Sequence, residues 1–191
     1  YLLKIADAKR KAIANAYYKV DEKINPLIII QFPDMSDRLI KYVEELLQNM
    51  GYNYENMLVA KWLSNEKINI DKITEDTAKP LFLLMKQAIS TGWDCPRAKI
   101  LVKLRENMNE VFEIQTIGRL RRMPRAKHYG NELLDYCFLY TFDEKYKDSV
   151  IKTGNAYEVK RLFLKEKAKN LSLKKELRNR DYQYVNEKEA L

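Results

Sequence analysis

An apolar run with the sequence LIIIQF occupies residues 27–32, between Pro26 and Pro33. An uninterrupted run of this length, bounded by prolines, is typical of a strand that is buried on both faces of a parallel sheet. Comparable patterns elsewhere in the chain predict further strands, strong at residues 81–85 and 100–104 and weaker at 57–60 and 136–142. The sequence therefore predicts a sheet with a thoroughly apolar centre.

Segments with helical periodicity alternate with these strands, at residues 1–23, 36–50 and 107–122. We expect Ser36 to cap the second helix and Gly51 to end it. The expected inner stripe of that helix consists of Leu39, Val43, Leu46, Leu47 and Met50. Strands that alternate with helices predict an α/β fold with a doubly wound parallel sheet, in which ligands bind at the carboxyl ends of the strands.

The composition excludes several classes of protein. With two cysteines and one histidine, the 191-residue chain has neither a disulfide framework nor a Cys/His zinc site, so no metal ligands are predicted. Its hydrophobic runs are too short to span a membrane, and we expect a reducing cytoplasm. The chain begins with Tyr1 and lacks a signal peptide, which suggests an internal piece of a longer protein.

The net charge of +8 is unevenly distributed. Residues 97–127 carry nine Lys/Arg against three Glu, a net charge of +6. Such a basic block favours a phosphate-bearing partner, either a nucleotide or a nucleic acid, although a contribution to solubility alone is the simpler alternative.

Within this block, residues 115–122 have the sequence QTIGRLRR. On a helix, Arg119 lies about 40° from Gln115, and Arg122 lies about 20° to its other side. The apolar residues Ile114, Ile117 and Leu120 cluster on roughly the opposite face, where a core would be. One helix could therefore aim two guanidiniums and an amide at phosphate oxygens, the geometry of an arginine finger. An ordinary basic helix with a solvated face has the same spacing.

Two motifs in order, KQAISTGWDCPRA at 86–98 and QTIGRLRRMP at 115–124, resemble motifs V and VI of superfamily 2 helicases. The resemblance is strongest to the helicase subunit (Res) of type III restriction enzymes, and NPLIIIQFP at 25–33 resembles the first strand of that family's second RecA-like domain. It implies a RecA-like domain over residues 24–145. A helical linker from an upstream domain would then occupy 1–23, and a basic helical extension would occupy 146–191.

The resemblance also implies roles at a nucleotide. Arg119 and Arg122 match the two arginine fingers that reach the γ-phosphate of ATP held by the first RecA-like domain. Gln115 matches the motif VI glutamine, near the phosphates and the attacking water. Gly92, Asp94 and Gly118 match the nucleotide-binding positions, and the carboxylate of Asp94 would accept a hydrogen bond from the ribose.

A second set of positions, Lys86, Ser90, Thr91 and Arg97, is implied to bind nucleic acid. Lys86 stands where many relatives have a threonine, and Arg121 stands where many have a small residue; we expect Arg121 to be solvated. Trp93 is expected to pack beneath its loop, with base stacking as the alternative. Cys95 is expected to be a buried small hydrophobic residue rather than a reactive thiol.

The chain lacks half of an ATPase site. Its five glycines form no GxxxxGK[S/T] phosphate loop. Asp143-Glu144 imitates a Mg²⁺-binding box but follows motif VI, and Glu158-Val159-Lys160 imitates a nuclease motif without a partner aspartate; we interpret both as chance matches. ATP and Mg²⁺ would therefore be held mainly by an upstream domain, and the isolated chain is predicted to be inactive.

Double-stranded DNA, an upstream RecA-like domain and a methyltransferase (Mod) subunit are the partners that the resemblance implies. Two other functions remain open at this stage. The chain could be a nucleic-acid-binding module that has lost ATPase activity, or a docking domain for the methyltransferase.

Overall fold

A sheet of six strands organises the computed structural model, which describes residues 1–86, 93–104 and 118–142. The described strands are β1 (Leu27–Gln31), β2 (Val59–Trp62), β3 (Lys67–Ile68), β4 (Phe82–Met85), β5 (Ala98–Lys103) and β6 (Phe138–Thr141). Their order is β3-β2-β4-β1-β5-β6, and all neighbours are parallel except β3, which is antiparallel to β2. The predicted α/β class with a parallel sheet is confirmed. The two-residue strand β3 was not predicted.

Strand β1 lies inside the sheet because it is hydrogen-bonded on both edges and covered on both faces. Ile29 is in register with Leu83 of β4 on one side and with Leu101 of β5 on the other. Ile28 and Ile30 point into one core cluster, whereas Leu27 and Ile29 point into the other. Every residue of β1 is buried. The uninterrupted apolar run in the sequence follows directly from this two-sided burial.

Within the described residues, three helices cover one face of the sheet: α1 (Leu2–Lys19), α2 (Asp37–Asn49) and the short α3 (Glu132–Asp135). The side chains of Ile13 and Tyr17 in α1 are completely buried in the core cluster that contains Ile28 and Ile30. The segment expected to be a linker therefore forms part of the core beside the sheet. Its connection to an upstream domain stays a prediction.

The start of α2 differs from expectation. Ser36 stands at the N-cap position, but its hydroxyl donates to the carbonyl of Pro33 at 2.6 Å instead of capping the helix. The centre of the buried stripe is Ile40, Val43 and Leu47, while Leu39, Leu46 and Met50 lie at its margins. Gly51 follows the helix with φ +87°, the left-handed conformation in which a helix commonly ends.

On the opposite face of the sheet, the described residues that pack against it belong to irregular segments and to the end of the segment at 115–122. Ile73, Trp93, Cys95 and Leu120 pack with Leu27 and Ile29 there. Trp93 and Cys95 of the first motif and Leu120 of the second therefore pack on one side of the sheet. Residues 143–191, which include the predicted extension and both chance motifs, lie outside the described residues. None of the described helices has the length and apolar character needed to cross a membrane.

A buried charged cluster joins α1 to the turn after α2. One carboxylate oxygen of Asp7 accepts from Arg10 Nε at 2.9 Å, and the other accepts from Lys11 Nζ and the Tyr52 hydroxyl, each at 2.9 Å. Burial acts to raise the pKa of Asp7, but the hydrogen bonds from Lys11, Tyr52 and Arg10 outweigh it and lower the pKa below its ordinary value. Asp7 is therefore ionised in the folded protein at neutral pH. Its contribution to stability is lost as the pH falls through that lowered pKa.

Replacing Asp7 by Asn should destabilise the protein by about 3 kcal/mol, because Arg10 would remain buried without its carboxylate partner. Urea unfolding monitored by circular dichroism measures the change. Asp71→Asn is the matched control, since Asp71 is exposed, and it should change stability by less than about 0.5 kcal/mol. Equal stabilities for the two variants would contradict this role of Asp7.

Candidate phosphate-facing arginine site

The described end of the motif VI segment has the amphipathic form that the sequence predicts. Residues 118–120 are helical, and the helix gives way to a turn at Arg121, before the buried Pro124. Leu120 is buried in the same core cluster as Trp93. Arg119 and Arg122 flank Leu120 but remain partly or fully exposed. The burial of Leu120 thus fixes the back of this segment while the two guanidiniums stay accessible.

Both arginines contact the motif V loop at adjacent residues. Arg119 Nη1 donates to the main-chain carbonyl of Trp93 in a short hydrogen bond. Arg122 Nη1 lies 2.6 Å from Asp94 Oδ2. The sequence separates these pairs by 26 and 28 residues, yet the fold sets them side by side. The two motifs therefore meet where residues 93–94 contact the two arginines.

The Arg122–Asp94 ion pair is open to solvent on both sides, because the two side chains are 51% and 50% exposed. Water screens such a pair, so it should contribute no more than about 1 kcal/mol to stability. A guanidinium carries five N–H donors, and one contact uses only part of that capacity. The pair can therefore orient Arg122 and still yield to the oxygens of a phosphate.

Trp93 packs as a structural residue beneath the loop. It is only 9% exposed, and its ring stands edge-on to that of Trp62, with 6.5 Å between the ring centroids. Trp62 is the last residue of β2. The indole is therefore not presented as a platform on which a base could stack. Within the described chain its Nε1 has no hydrogen-bond partner.

Cys95 is also buried, with its sulfur 3.7 Å from the carbonyl oxygen of Ile73. Burial raises the pKa of the Cys95 thiol to about 11. At neutral pH the thiol is thus protonated and a poor nucleophile. This supports the interpretation of Cys95 as a small hydrophobic residue.

Arg97 differs from its predicted role at nucleic acid. Its side chain is completely buried. Nε donates to the carbonyl of Ile73 at 2.7 Å, and Nη1 donates to the carbonyls of Asn25 and Pro80 at 2.8 and 3.0 Å. These bonds tie together the segments that lead into β1 and β4. The guanidinium is thus a structural tie within the domain rather than a surface group that meets phosphate.

Two other cations of the basic block are buried as well. Lys99 and Lys103, both in β5, are 0% and 1% exposed. Lys99 Nζ donates to the carbonyl of Leu134 at 2.8 Å, and burial lowers its pKa from the ordinary value. Together with Arg97, three of the nine basic residues between 97 and 127 contribute little to the surface. The charge count of this block therefore overstates the attraction for a polyanion.

Lys86 directly follows β4 and forms an ion pair with an acidic residue. Its Nζ is 2.7 Å from Asp37 Oδ1, in the first turn of α2. The hydrogen bond from Lys86 lowers the pKa of Asp37. A nucleic-acid phosphate at Lys86 would have to compete with this carboxylate. No sequence motif marked Asp37, since its partner stands 49 residues away.

The other predicted site residues fall largely outside the described chain, namely Gln115, Gly92, Ser90 and Thr91. Gly118 is described, and a Cβ atom there would meet nothing within 4 Å. Across residues 1–86, 93–104 and 118–142, no three His, Cys, Asp or Glu side chains are grouped to hold a metal ion. The described residues thus offer cations for phosphate and one ribose-compatible carboxylate, but no ligand set for Mg²⁺.

Removing the Arg97 guanidinium should make the protein unfold more readily, because three main-chain carbonyls, two of them in buried hydrogen bonds, would lose their donor. We expect Arg97→Met to cost about 3–5 kcal/mol in urea unfolding. Arg38→Met, at an exposed position of α2, is the control and should change stability by less than about 0.5 kcal/mol. An Arg97→Met protein as stable as the parent would refute the structural role.

Comparisons with known proteins leave the family unassigned. No family model matches the chain, and no curated protein matches it. Among solved structures, it is similar to the C-terminal part of the Fun30 ATPase domain, with 19% identity and a TM-score of 0.44 over 75% of this chain. The match spans 43% of that chain. It is also similar to the C-terminal domain of a Dbp5 variant from S. cerevisiae, bound to Gle1 and IP6, with 15% identity and a TM-score of 0.43, covering 78% of each chain. Likenesses this weak assign no function.

Proposed function

We propose that this chain is the second RecA-like domain of an ATP-dependent helicase-type motor, of the kind found in the Res subunit of type III restriction enzymes. It would supply Arg119 and Arg122 to an ATP molecule held by an upstream domain. One observation carries the proposal: the two arginines, part of a QxxGRxxR sequence, are anchored next to each other on the Trp93–Asp94 loop. That arrangement fits a pair of arginine fingers at the edge of a cleft.

The chemistry asked of these residues is electrostatic. As the γ-phosphoryl group passes to water, negative charge spreads over its oxygens, and a guanidinium aimed at them accelerates the reaction by about 10³–10⁵. Arginine suits this task because it stays protonated at neutral pH and its planar fork matches the spacing of phosphate oxygens. Trp93 and Asp94 would hold the two side chains in position before the nucleotide arrives, which reduces the ordering required during the reaction.

Asp94 would have a second task in this scheme. Its carboxylate is half-exposed and bonded to Arg122 through Oδ2, so the group can also accept a hydrogen bond from a ribose hydroxyl. Gln115, Gly92 and Gly118 keep their proposed positions near the nucleotide. The phosphate loop and the Mg²⁺ ligands would belong to the upstream domain, since the five glycines of this chain form no such loop.

The finer parts of the proposal rest on the order and spacing of the sequence motifs. They are double-stranded DNA as the polymer, with Lys86, Ser90 and Thr91 toward its backbone, and a methyltransferase subunit as the partner. Arg97 is no longer part of the DNA-facing set because it is buried. The alternative of a purely DNA-binding module loses some support for the same reason, since its main argument was the charge of the basic block.

In the full-length protein, Arg119→Ala and Arg122→Ala should each lower the kcat of DNA-stimulated ATP hydrolysis by about 10³, with a modest change in KM for ATP. The reason is that each guanidinium acts mainly on charge that develops in the transition state. Steady-state phosphate release at saturating DNA measures both constants. Arg121→Ala is the matched control, because Arg121 lies between the two and is exposed.

The finger assignment would fail if kcat stayed unchanged in either variant, or if Arg121→Ala lowered kcat as much. A lack of any ATPase activity in the full-length protein would overturn the proposed function as a whole.

The isolated chain is expected to hydrolyse no ATP, since it lacks the phosphate loop. Turnover by the purified 191-residue protein that Arg119→Ala abolishes would contradict the division of the site between two domains. Arg119→Ala serves as the control here because a contaminating ATPase would be insensitive to it.

A further inference from the structure

The backbone just after Arg122 adopts unfavourable dihedral angles. After Arg122 it enters a short 3₁₀ turn at Pro124–Ala126, where Arg125 has φ +64° and Ala126 has φ +47°. These are left-handed conformations, which residues other than glycine adopt only when surrounding contacts hold them there. Pro124 is buried. The turn therefore depends on contacts made by its neighbours.

Two carboxylates supply those contacts. Arg125 Nη1 lies 3.1 Å from Asp76 Oδ2, and Arg125 Nε lies 3.5 Å from Glu22 Oε2. The other oxygen of Glu22 accepts from the Tyr129 hydroxyl at 3.1 Å and from Lys127 Nζ at 3.4 Å. We call Glu22, Asp76 and Arg125 the carboxylate clamp. The clamp holds the chain at the left-handed Arg125, and Glu22 also holds it just beyond, at Lys127 and Tyr129.

Glu22 and Asp76 are hydrogen-bonded through their main chains to segments that adjoin the sheet. The amide of Glu22 donates to Tyr17 at the end of α1, at 3.0 Å. The carbonyl of Asp76 accepts from Asn25, just before β1, at 2.7 Å. The rings of Tyr17 and Tyr129 also meet edge-on, with centroids 5.9 Å apart. The clamp thus fastens the chain after motif VI to the end of α1 and to the entry of the central strand.

The spacing along the chain connects the clamp to the arginines. Arg125 stands three residues after Arg122, and Leu120 is anchored in the core on the other side. Arg122 therefore lies in a short segment that is held at both ends. Its own contact with Asp94 is half-exposed and cannot define its position alone.

We propose that Glu22 and Asp76, acting through Arg125, are positioning residues for the Arg119–Arg122 pair. The inference rests on the proposed function. The clamp sets where Arg122 stands relative to the phosphates and takes no part in binding the nucleotide. Its loss therefore lowers turnover rather than affinity for ATP.

The clamp is suited to this test because it contributes little to folding. Its members are partly solvated, with side-chain exposures of 18% for Glu22, 24% for Asp76 and 52% for Arg125. Ion pairs in such surroundings add little to global stability. A change in activity can therefore be separated from a change in folding.

The experiment measures ATP hydrolysis by the full-length protein with Glu22→Gln, Asp76→Asn and the double substitution. The double variant should lose about 10–100-fold in kcat, because a misplacement of roughly 1 Å has that effect on a transferring group. KM for ATP should stay within about twofold. Glu75→Gln is the matched control: Glu75 adjoins Asp76 but faces Lys72 at 3.9 Å, so its kcat should not change.

A second series uses Arg125→Lys and Arg125→Gln, with a thermal melt of each variant. Lysine keeps the charge between the two carboxylates but lacks the fork, so kcat should decrease from wild type to Lys to Gln at constant KM.

The proposal is overturned if Arg125→Gln or the double variant retains wild-type kcat while Arg122→Ala loses it. It is also overturned if KM rises at unchanged kcat, or if the melting temperature falls enough to explain the loss. If Arg122→Ala itself has no effect, the proposed function has failed instead.

Discussion

The burial of β1 on both faces and both edges is the constraint on which the rest of the structure depends. Its apolar side chains alternate between two clusters, one under α1 and α2 and one under the motif V and VI segments. Arg97 connects β1 to the Trp93–Asp94 loop. Its carbonyl accepts a hydrogen bond from the amide of Leu27, and its guanidinium donates to the carbonyl of Asn25, just before β1. The residues of the candidate site are therefore positioned by their contacts with the central strand and with the core around it.

Burial also separates the cations of this domain into two kinds. Arg97 and Lys99 are enclosed and donate to main-chain carbonyls, so their charges are used within the fold. Arg119 and Arg122 keep solvent contact and rest on a carbonyl and a half-exposed carboxylate, both of which phosphate can replace. Sequence composition counts the two kinds alike, whereas only the exposed kind is available to an external phosphate.

Much of the fold could be predicted because it follows from local patterns. The strands at residues 27–31, 82–85 and 98–103 were marked by apolar runs, and α2 by its periodicity. Strand β3 could not be predicted, since its two residues, one charged and one apolar, are too few to form a pattern. The structural role of Arg97 and the carboxylate clamp could not be predicted either. The groups that bind Arg97 and Arg125 stand 17 to 103 residues away in the sequence, and only the tertiary fold brings them together. The contact between Arg122 and Asp94 was not predicted, because its two residues, one in each motif, stand 28 residues apart in the sequence.

The central claim is that Arg119 and Arg122 act on a nucleotide bound by another domain. A structure of the full-length protein with ADP, Mg²⁺ and aluminium fluoride, determined by electron microscopy, tests it most directly. The account predicts guanidinium nitrogens of both arginines within about 3 Å of the fluoride ligands or the β-phosphate, with Arg125 still bound to Asp76. A closed complex in which Arg122 remains on Asp94 and neither arginine reaches the nucleotide would contradict it.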